Sequence, residues 1–271
     1  MRKLTLRTVA LGYLALILLC PLSIVFWRAF EKGFGPAWSA VTTPDAVHAF
    51  RLTLEIAAIA VPANAIFGVL CALLMVRHPF PGKGLLNALV DLPLALSPVV
   101  VGFALFLLYG RTGWFGSWLS AHGIQILFAM PSMILATAFV SIQFVVREVV
   151  PVLREIGTDQ EQAAETLGAS QWQVFRRITY PAIRWAVAYG VVLTTARSLG
   201  EYGAVSVVSG RLAGQTETAT LYVSDRYENF DIVGAYAASV VLALIAILVL
   251  LTMNILRPKE GVHLWVSRSM A

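Results

Sequence analysis

Six long apolar runs, at residues 9–27, 52–76, 85–109, 124–146, 185–208 and 232–256, alternate with polar segments along the chain. Apolar runs of about 20 residues match the hydrocarbon thickness of a bilayer, which backbone crosses as helix. The pattern predicts an all-α, polytopic integral membrane protein with six transmembrane helices, a single transmembrane domain over residues 1–271. The first, fourth and sixth runs carry no charge. Glu55 and Asp91 lie near the ends of the second and third, and Arg197 and Glu201 lie well inside the fifth. Between the fourth and fifth runs, residues 147–184 are polar and helix-forming, and contain EQAAETLGASQWQVFRRITYP from Glu161 to Pro181.

Composition agrees with a bilayer rather than water: 58% hydrophobic, 13% charged, mean hydropathy +0.77. The pI near 9.4 gains meaning from where the basic residues fall. With the amino terminus inside, Arg2, Lys3, Arg7, Arg77, Lys83, Arg147, Arg154, Arg176, Arg177, Arg184, Arg257, Lys259 and Arg268 lie on inner segments. Arg28, Lys32, Arg51, Arg111, Arg211 and Arg226 lie outside. Cytoplasmic segments carry the Lys/Arg excess, so both termini and the 147–184 loop are expected in the cytoplasm. The basic balance suits anionic membrane lipid and calls for no nucleic acid. The first run is too long for a signal h-region and no A-x-A-like site follows it, so it reads as a first helix. Cys20 and Cys71 read as small core hydrophobes. His48, His78, His122 and His263 share no ligand spacing, so no metal site is expected.

Within the polar loop, Thr158-Asp-Gln-Glu161 and Ser170-Gln-Trp-Gln173 both read as capping boxes. Leu167-Gly168 reads as a stop between two short helices, with glycine in a left-handed turn. Pro181 predicts that the second helix ends near Tyr180. Ala163, Ala164 and Leu167 share one side of the first helix, and Trp172, Phe175 and Ile178 recur along the second. Two readings stand side by side: an amphipathic segment lying on the membrane, and a docking surface for a cytosolic protein.

The spacing Ala163-Ala164, three residues, Gly168, nine residues, Ile178, one residue, Tyr180-Pro181 resembles the EAA loop of ABC-importer permeases. The family motif is Glu-Ala-Ala, three residues, Gly, nine residues, Ile, one residue, Leu-Pro; Gln162 replaces its Glu and Tyr180 its Leu. DLPLALSPVVVG (91–102), FVVREVVPVL (144–153) and RSLGEYGAVSVVSG (197–210) are similar to the permeases for sulfate and molybdate. Over nearly the entire chain the likeness is to the W-type subunits of sulfate/thiosulfate importers. The resemblance implies a type I importer permease (MetI-like) fold in a bacterial cytoplasmic membrane. It implies a coupling surface of Glu161, Gln162, Ala163, Ala164, Glu165, Leu167, Gly168, Ala169, Trp172 and Phe175. The implied partners are a homologous T-type permease or a second copy, two ABC ATPases holding ATP and Mg, and a periplasmic or lipid-anchored sulfate-binding protein.

The chain lacks a phosphate-cradling G-x-x-x-x-G-K-[ST] motif, and its one Gly-Lys, Gly82-Lys83, is followed by Gly84. It carries no catalytic constellation and needs no cofactor of its own. An energy source must therefore be another polypeptide. Ionisable groups at membrane depth are functional or paired. Arg197, Ser198, Glu201 and Thr194 form a polar stripe: either an internal ion pair at a gate, or an oxyanion contact. In the third run Pro93, Ser97, Pro98 and Gly102 predict a kinked helix, with Ser97 and Pro98 candidates for the transport route. Asp91 reads as a snorkelling or capping group. Residues 210–231 read as an outer loop, either solvated or receiving a binding protein. A molybdate/tungstate permease is the same-class rival, and an ion-coupled carrier using Arg197 and Glu201 the different-class one.

Overall fold

A computed structural model describes residues 2–256, and every regular element among them is helical. Arg257, Lys259, His263 and Arg268 lie outside the described residues, as do the side chains of Arg2 and Lys3. Helix α1 (Arg2–Phe30) runs through Pro21, and a short α2 (Phe34–Val41) follows. Helix α3 (Pro44–Arg77) is the longest. Thr43 caps it by accepting the Ala46 N–H at 3.2 Å, and Pro44 and Asp45 open its first turn.

The third apolar run is two helices, α4 (Lys83–Ala95) and α5 (Pro98–Tyr109), bent by 112° at Leu96-Ser97. Pro98 has no N–H to continue α4 and holds Ser97 extended, with ψ 136°. After α6 (Gly116–Ala121), α7 (Met130–Ser141) and α8 (Gln143–Ile156) form a single apolar span. It starts later than residue 124 because the chain turns at Phe128, φ 56°, whose N–H donates to the Val208 carbonyl. It also runs ten residues past the expected end at 146, through Arg147 and Glu148 to Ile156.

The polar loop holds α9 (Asp159–Thr166), α10 (Gln171–Val174) and a π-turn (Phe175–Thr179), and leads into α11 (Tyr180–Leu199). Helices α12 (Gly203–Val208), α13 (Ala219–Glu228) and α14 (Ile232–Leu256) complete the chain. Four spans, in α1, α3, α7–α8 and α14, are long and apolar enough to cross a membrane, and the bent α4–α5 pair makes up to five. The expected fifth span, in α11, falls short because Arg184, Arg197 and its hydroxyls dilute its apolarity.

The core is the packing of α3, α8 and α11. Val145 of α8 is fully buried between Gly68 of α3 and Gly190 of α11; a Cβ added at either glycine would lie under 3 Å from Val145 atoms. Small residues allow such close helix approach in a bilayer, where lipid supplies no hydrophobic drive between helices. Asn64 ties α3 to α7 by donating to Ala138 O and Ser141 Oγ, both at 2.9 Å. A second cluster, including Ile56, Met133, Ala136 and Val205, joins α3, α5, α7 and α12.

Candidate functional site

The polar loop folds into a platform across one end of the bundle. Its second capping box forms as expected: Ser170 Oγ accepts the Gln173 N–H and Gln173 Oε1 accepts the Ser170 N–H. Gly168 is left-handed at φ 84°, and the Ala169 N–H donates back to the Ala164 carbonyl, closing α9.

The first box does not form. Thr158 begins α9 but its hydroxyl caps no backbone N–H; it accepts the Gln162 side-chain amide at 3.2 Å. Glu161 has turned to a distant partner instead. Its carboxylate lies 2.8 Å from Arg77 Nε and accepts Arg77 Nη2 at 3.1 Å and Thr179 Oγ1 at 2.7 Å. Arg77 also donates to the carbonyls of Leu153 and Gly157. One node therefore joins the end of α3, the end of α8, the start of α9 and the π-turn. The side chains of Arg77 and Glu161 are only 12% and 16% exposed, so within the node the pair is shielded from solvent. Arg77 and Thr179 were not among the residues singled out from sequence. Their only signal was a basic residue just past an apolar run at the same predicted end as the loop.

The helix also does not end at Tyr180. Proline occupies the first turn of α11, where its missing N–H breaks no bond, and the wider π-turn before it relieves the crowding of Tyr180. The loop thereby runs without a break into α11. Of the other loop residues, Gln162, Ala163, Glu165, Leu167 and Gly168 are exposed, and Ala164, Ala169 and Phe175 half-buried. Leu167 is 88% exposed and Trp172 66%, the latter stacked on Phe175 at 5.6 Å. These form an apolar edge on an otherwise polar platform. Beneath it, a cleft of about 370 Å³ is bordered by Arg77, Glu161, Glu165 and Phe175.

The second constellation lies where α11 stops. Glu201 is not on that helix: Gly200-Glu201-Tyr202 breaks the chain between α11 and α12. Its side chain is 2% exposed; one oxygen lies 2.6 Å from Arg197 Nη1 and the other accepts the Ala204 N–H at 2.8 Å, capping α12. The Thr220 hydroxyl of α13 donates to the Glu201 carbonyl. Thr194 is buried and spends its hydroxyl on the Gly190 carbonyl of its own helix. Ser198 is buried, with no protein partner for its Oγ among the described residues. The break in α4–α5 meets this one, since a Cβ on Gly203 would lie 2.9 Å from Pro98. Ser97 is exposed at the start of α5. Two interrupted helices thus face each other at an ion pair whose carboxylate is buried and whose guanidinium is one-third exposed. Asp91 neither snorkels nor caps; it pairs with Arg147 of α8.

The segment 210–231 is largely folded. Thr216, Glu217 and Thr218 are buried, and the Ala219 N–H donates to Thr53 of α3 at 2.9 Å. Burial, with Asp225 and Asp45 nearby and Arg226 opposing, pushes the Glu217 carboxyl up to about 7. An acid raised on folding favours the fold below the ordinary carboxylate range, and that contribution is lost as pH climbs to about 7. Glu217→Gln is therefore expected to raise thermal stability more at pH 8 than at pH 5, by up to about 3 kcal/mol. Equal shifts at the two pH values would contradict this.

Interrupted spans meeting at a half-buried ion pair, with a polar platform at one end, are the features of a membrane transport subunit. The chain belongs to the family of binding-protein-dependent transport system inner membrane components, which its residues 64–261 match. It is 47% identical over 261 residues to the sulfate transport system permease protein CysW of Synechocystis sp., covering 96% of this chain and 95% of that one. It is 39% identical over 258 residues to the sulfate transport system permease protein CysT of Escherichia coli (strain K12), covering 94% and 93%. Its fold matches a crystal structure of a bacterial ABC transporter involved in the import of the acidic polysaccharide alginate, with a TM-score of 0.78 at 20% identity, covering 93% and 94%.

Proposed function

We propose that this chain is a permease subunit of an ATP-driven importer of sulfate, with thiosulfate as a second cargo. The observation that carries the reading is the end-to-end similarity to CysW. The likeness to CysT supports pairing with a homologous T-type permease, in a heterodimer fed by a sulfate-binding protein. The chain is not catalytic alone. Two ATPase subunits bind ATP and Mg, and the platform of residues 158–180 receives their motion on the cytoplasmic side. The basic residues gathered at that end support this orientation. Leu167 and Trp172 seat in the ATPase, while Gln162 and Glu165 supply polar contacts at the rim. Movement of the platform, transmitted through α11, shifts the facing breaks at Ser97-Pro98 and Gly200–Tyr202 and opens the route to one side and then the other.

Sulfate uptake into proteoliposomes holding both permeases, the ATPase and the binding protein tests this directly. Uptake is expected to require ATP and every component. ATP-independent uptake by this chain alone overturns the reading, and competition by molybdate but not thiosulfate reassigns the cargo. Leu167→Asp and Trp172→Asp remove exposed side chains, so membrane insertion is expected to persist. Uptake and ATPase stimulation are expected to fall at least about tenfold, as for an apolar anchor at an interface. Unchanged stimulation refutes the docking role.

A further inference from the structure

We propose that the cleft between the start of α4 and the end of α8 binds the phosphodiester headgroup of an anionic phospholipid. The cleft holds about 360 Å³ and is bordered by Lys83 and Asn87 of α4, Arg147, Val150 and Arg154 of α8, and Met75 of α3. Three cations and no carboxylate border it among the described residues. Arg147 is already paired with Asp91, whereas Lys83 and Arg154 make no ion pair among the described residues. The cleft therefore keeps two positive charges to offer. The first turn of α4 adds to them, since Gly82 provides no side-chain cap and the turn holds no acidic residue.

The ligand chemistry is a phosphate- or sulfate-type oxyanion, which a phospholipid headgroup or a free anion would supply. What favours the lipid is where the cleft sits. Leu85, Leu89 and Leu92 recur at helical spacing on the side of α4 turned away from Lys83 and Asn87, and all are exposed. That strip lays α4 against acyl chains, so the cleft at its start lies at headgroup level. The position agrees: Lys83 opens one membrane-crossing pair and Arg154 closes the α7–α8 span, which puts both cations where headgroups lie. The inference rests on the membrane placement of α4 and α8 and not on the cargo or the ATPase.

The full chain in nanodiscs of phosphatidylcholine, with and without phosphatidylglycerol, provides the test. After detergent extraction, native mass spectrometry is expected to find phosphatidylglycerol retained and phosphatidylcholine lost. Retention is expected to fall roughly 10- to 30-fold in Lys83→Gln/Arg154→Gln. It should persist in Lys83→Arg/Arg154→Lys and in Arg111→Gln, a basic residue outside the cleft. Circular dichroism checks that each variant stays helical. If the double variant misfolds, Lys83→Gln alone carries the test, with a loss of about fivefold. Equal retention of the two lipids overturns the proposal, as does retention indifferent to the glutamines. A parallel arm dialyses labelled phosphate and sulfate against the chain in phosphatidylcholine discs. Saturable binding that the glutamines abolish, without preference for phosphatidylglycerol, assigns the cleft to a free oxyanion and overturns the lipid.

Discussion

Glu161→Ala is expected to abolish ATP-dependent uptake by the assembled importer while the chain stays in the membrane. The substitution leaves the Arg77 guanidinium, 12% exposed, with two backbone carbonyls and no counter-charge. It also removes the acceptor of the Thr179 hydroxyl. Stranding a largely buried cation costs on the order of 2–4 kcal/mol. That is more than a platform of two short helices can absorb, so α9 should detach from α3 and the π-turn. Arg77→Ala should match it, because either change empties the same node. The double variant should be no worse than either single, since the second change removes an interaction already lost. Glu161→Gln keeps hydrogen-bond capacity without charge and should fall between. Uptake and ATPase stimulation are the readouts, and wild-type values for both single variants would remove the node from the mechanism.

The same residue marks where sequence reading succeeds and where it stops. Ser170 with Gln173, and Gly168, were legible because their partners lie within a few residues and the chemistry is local. Thr158 with Glu161 has the same spacing, yet Glu161 bonds Arg77, 84 residues earlier, and a charged partner outcompetes a backbone amide. Asp91 behaves likewise: its partner Arg147 lies 56 residues on. Apolar runs located the helices because burial or lipid contact must be satisfied along each. They could not reveal that the third run bends by 112°, since periodicity carries no angle and Pro98 signals only an interruption. Nor could they show the fifth run ending at Leu199, because Gly200-Glu201-Tyr202 is too short to disturb hydropathy. The candidate route residues, Ser97 and Pro98 with Arg197 to Glu201, were read from separate runs, and no local pattern joins them. Their meeting at Gly203 is a tertiary fact.

Removing Glu201 should be more damaging than removing any other charge in the chain. Its carboxylate offsets Arg197 and caps α12 from a position only 2% exposed. Glu201→Ala forfeits about 1 kcal/mol of capping and leaves a guanidinium, one-third exposed, without its partner, at a further cost of about 1–2 kcal/mol after solvent screening. That is a sizeable fraction of the stability of many domains, so folded yield is expected to fall. Glu201→Gln retains an oxygen for the Ala204 N–H and isolates the charge; uptake should fall at least about a hundredfold with partial folding. The informative variant is Arg197→Met/Glu201→Gln, which removes both charges and keeps volume and cap. Because the Arg197 charge already has a partner within the chain, we propose that the pair braces the junction of α11 and α12. The neutral double variant is therefore expected to recover folding and uptake to within about tenfold of wild type, since a well-packed neutral replacement of a buried pair costs little. A folded double variant that stimulates the ATPase yet moves no sulfate would assign Arg197 to the anion instead. It would mean that Glu201 holds the guanidinium in place until the cargo displaces it.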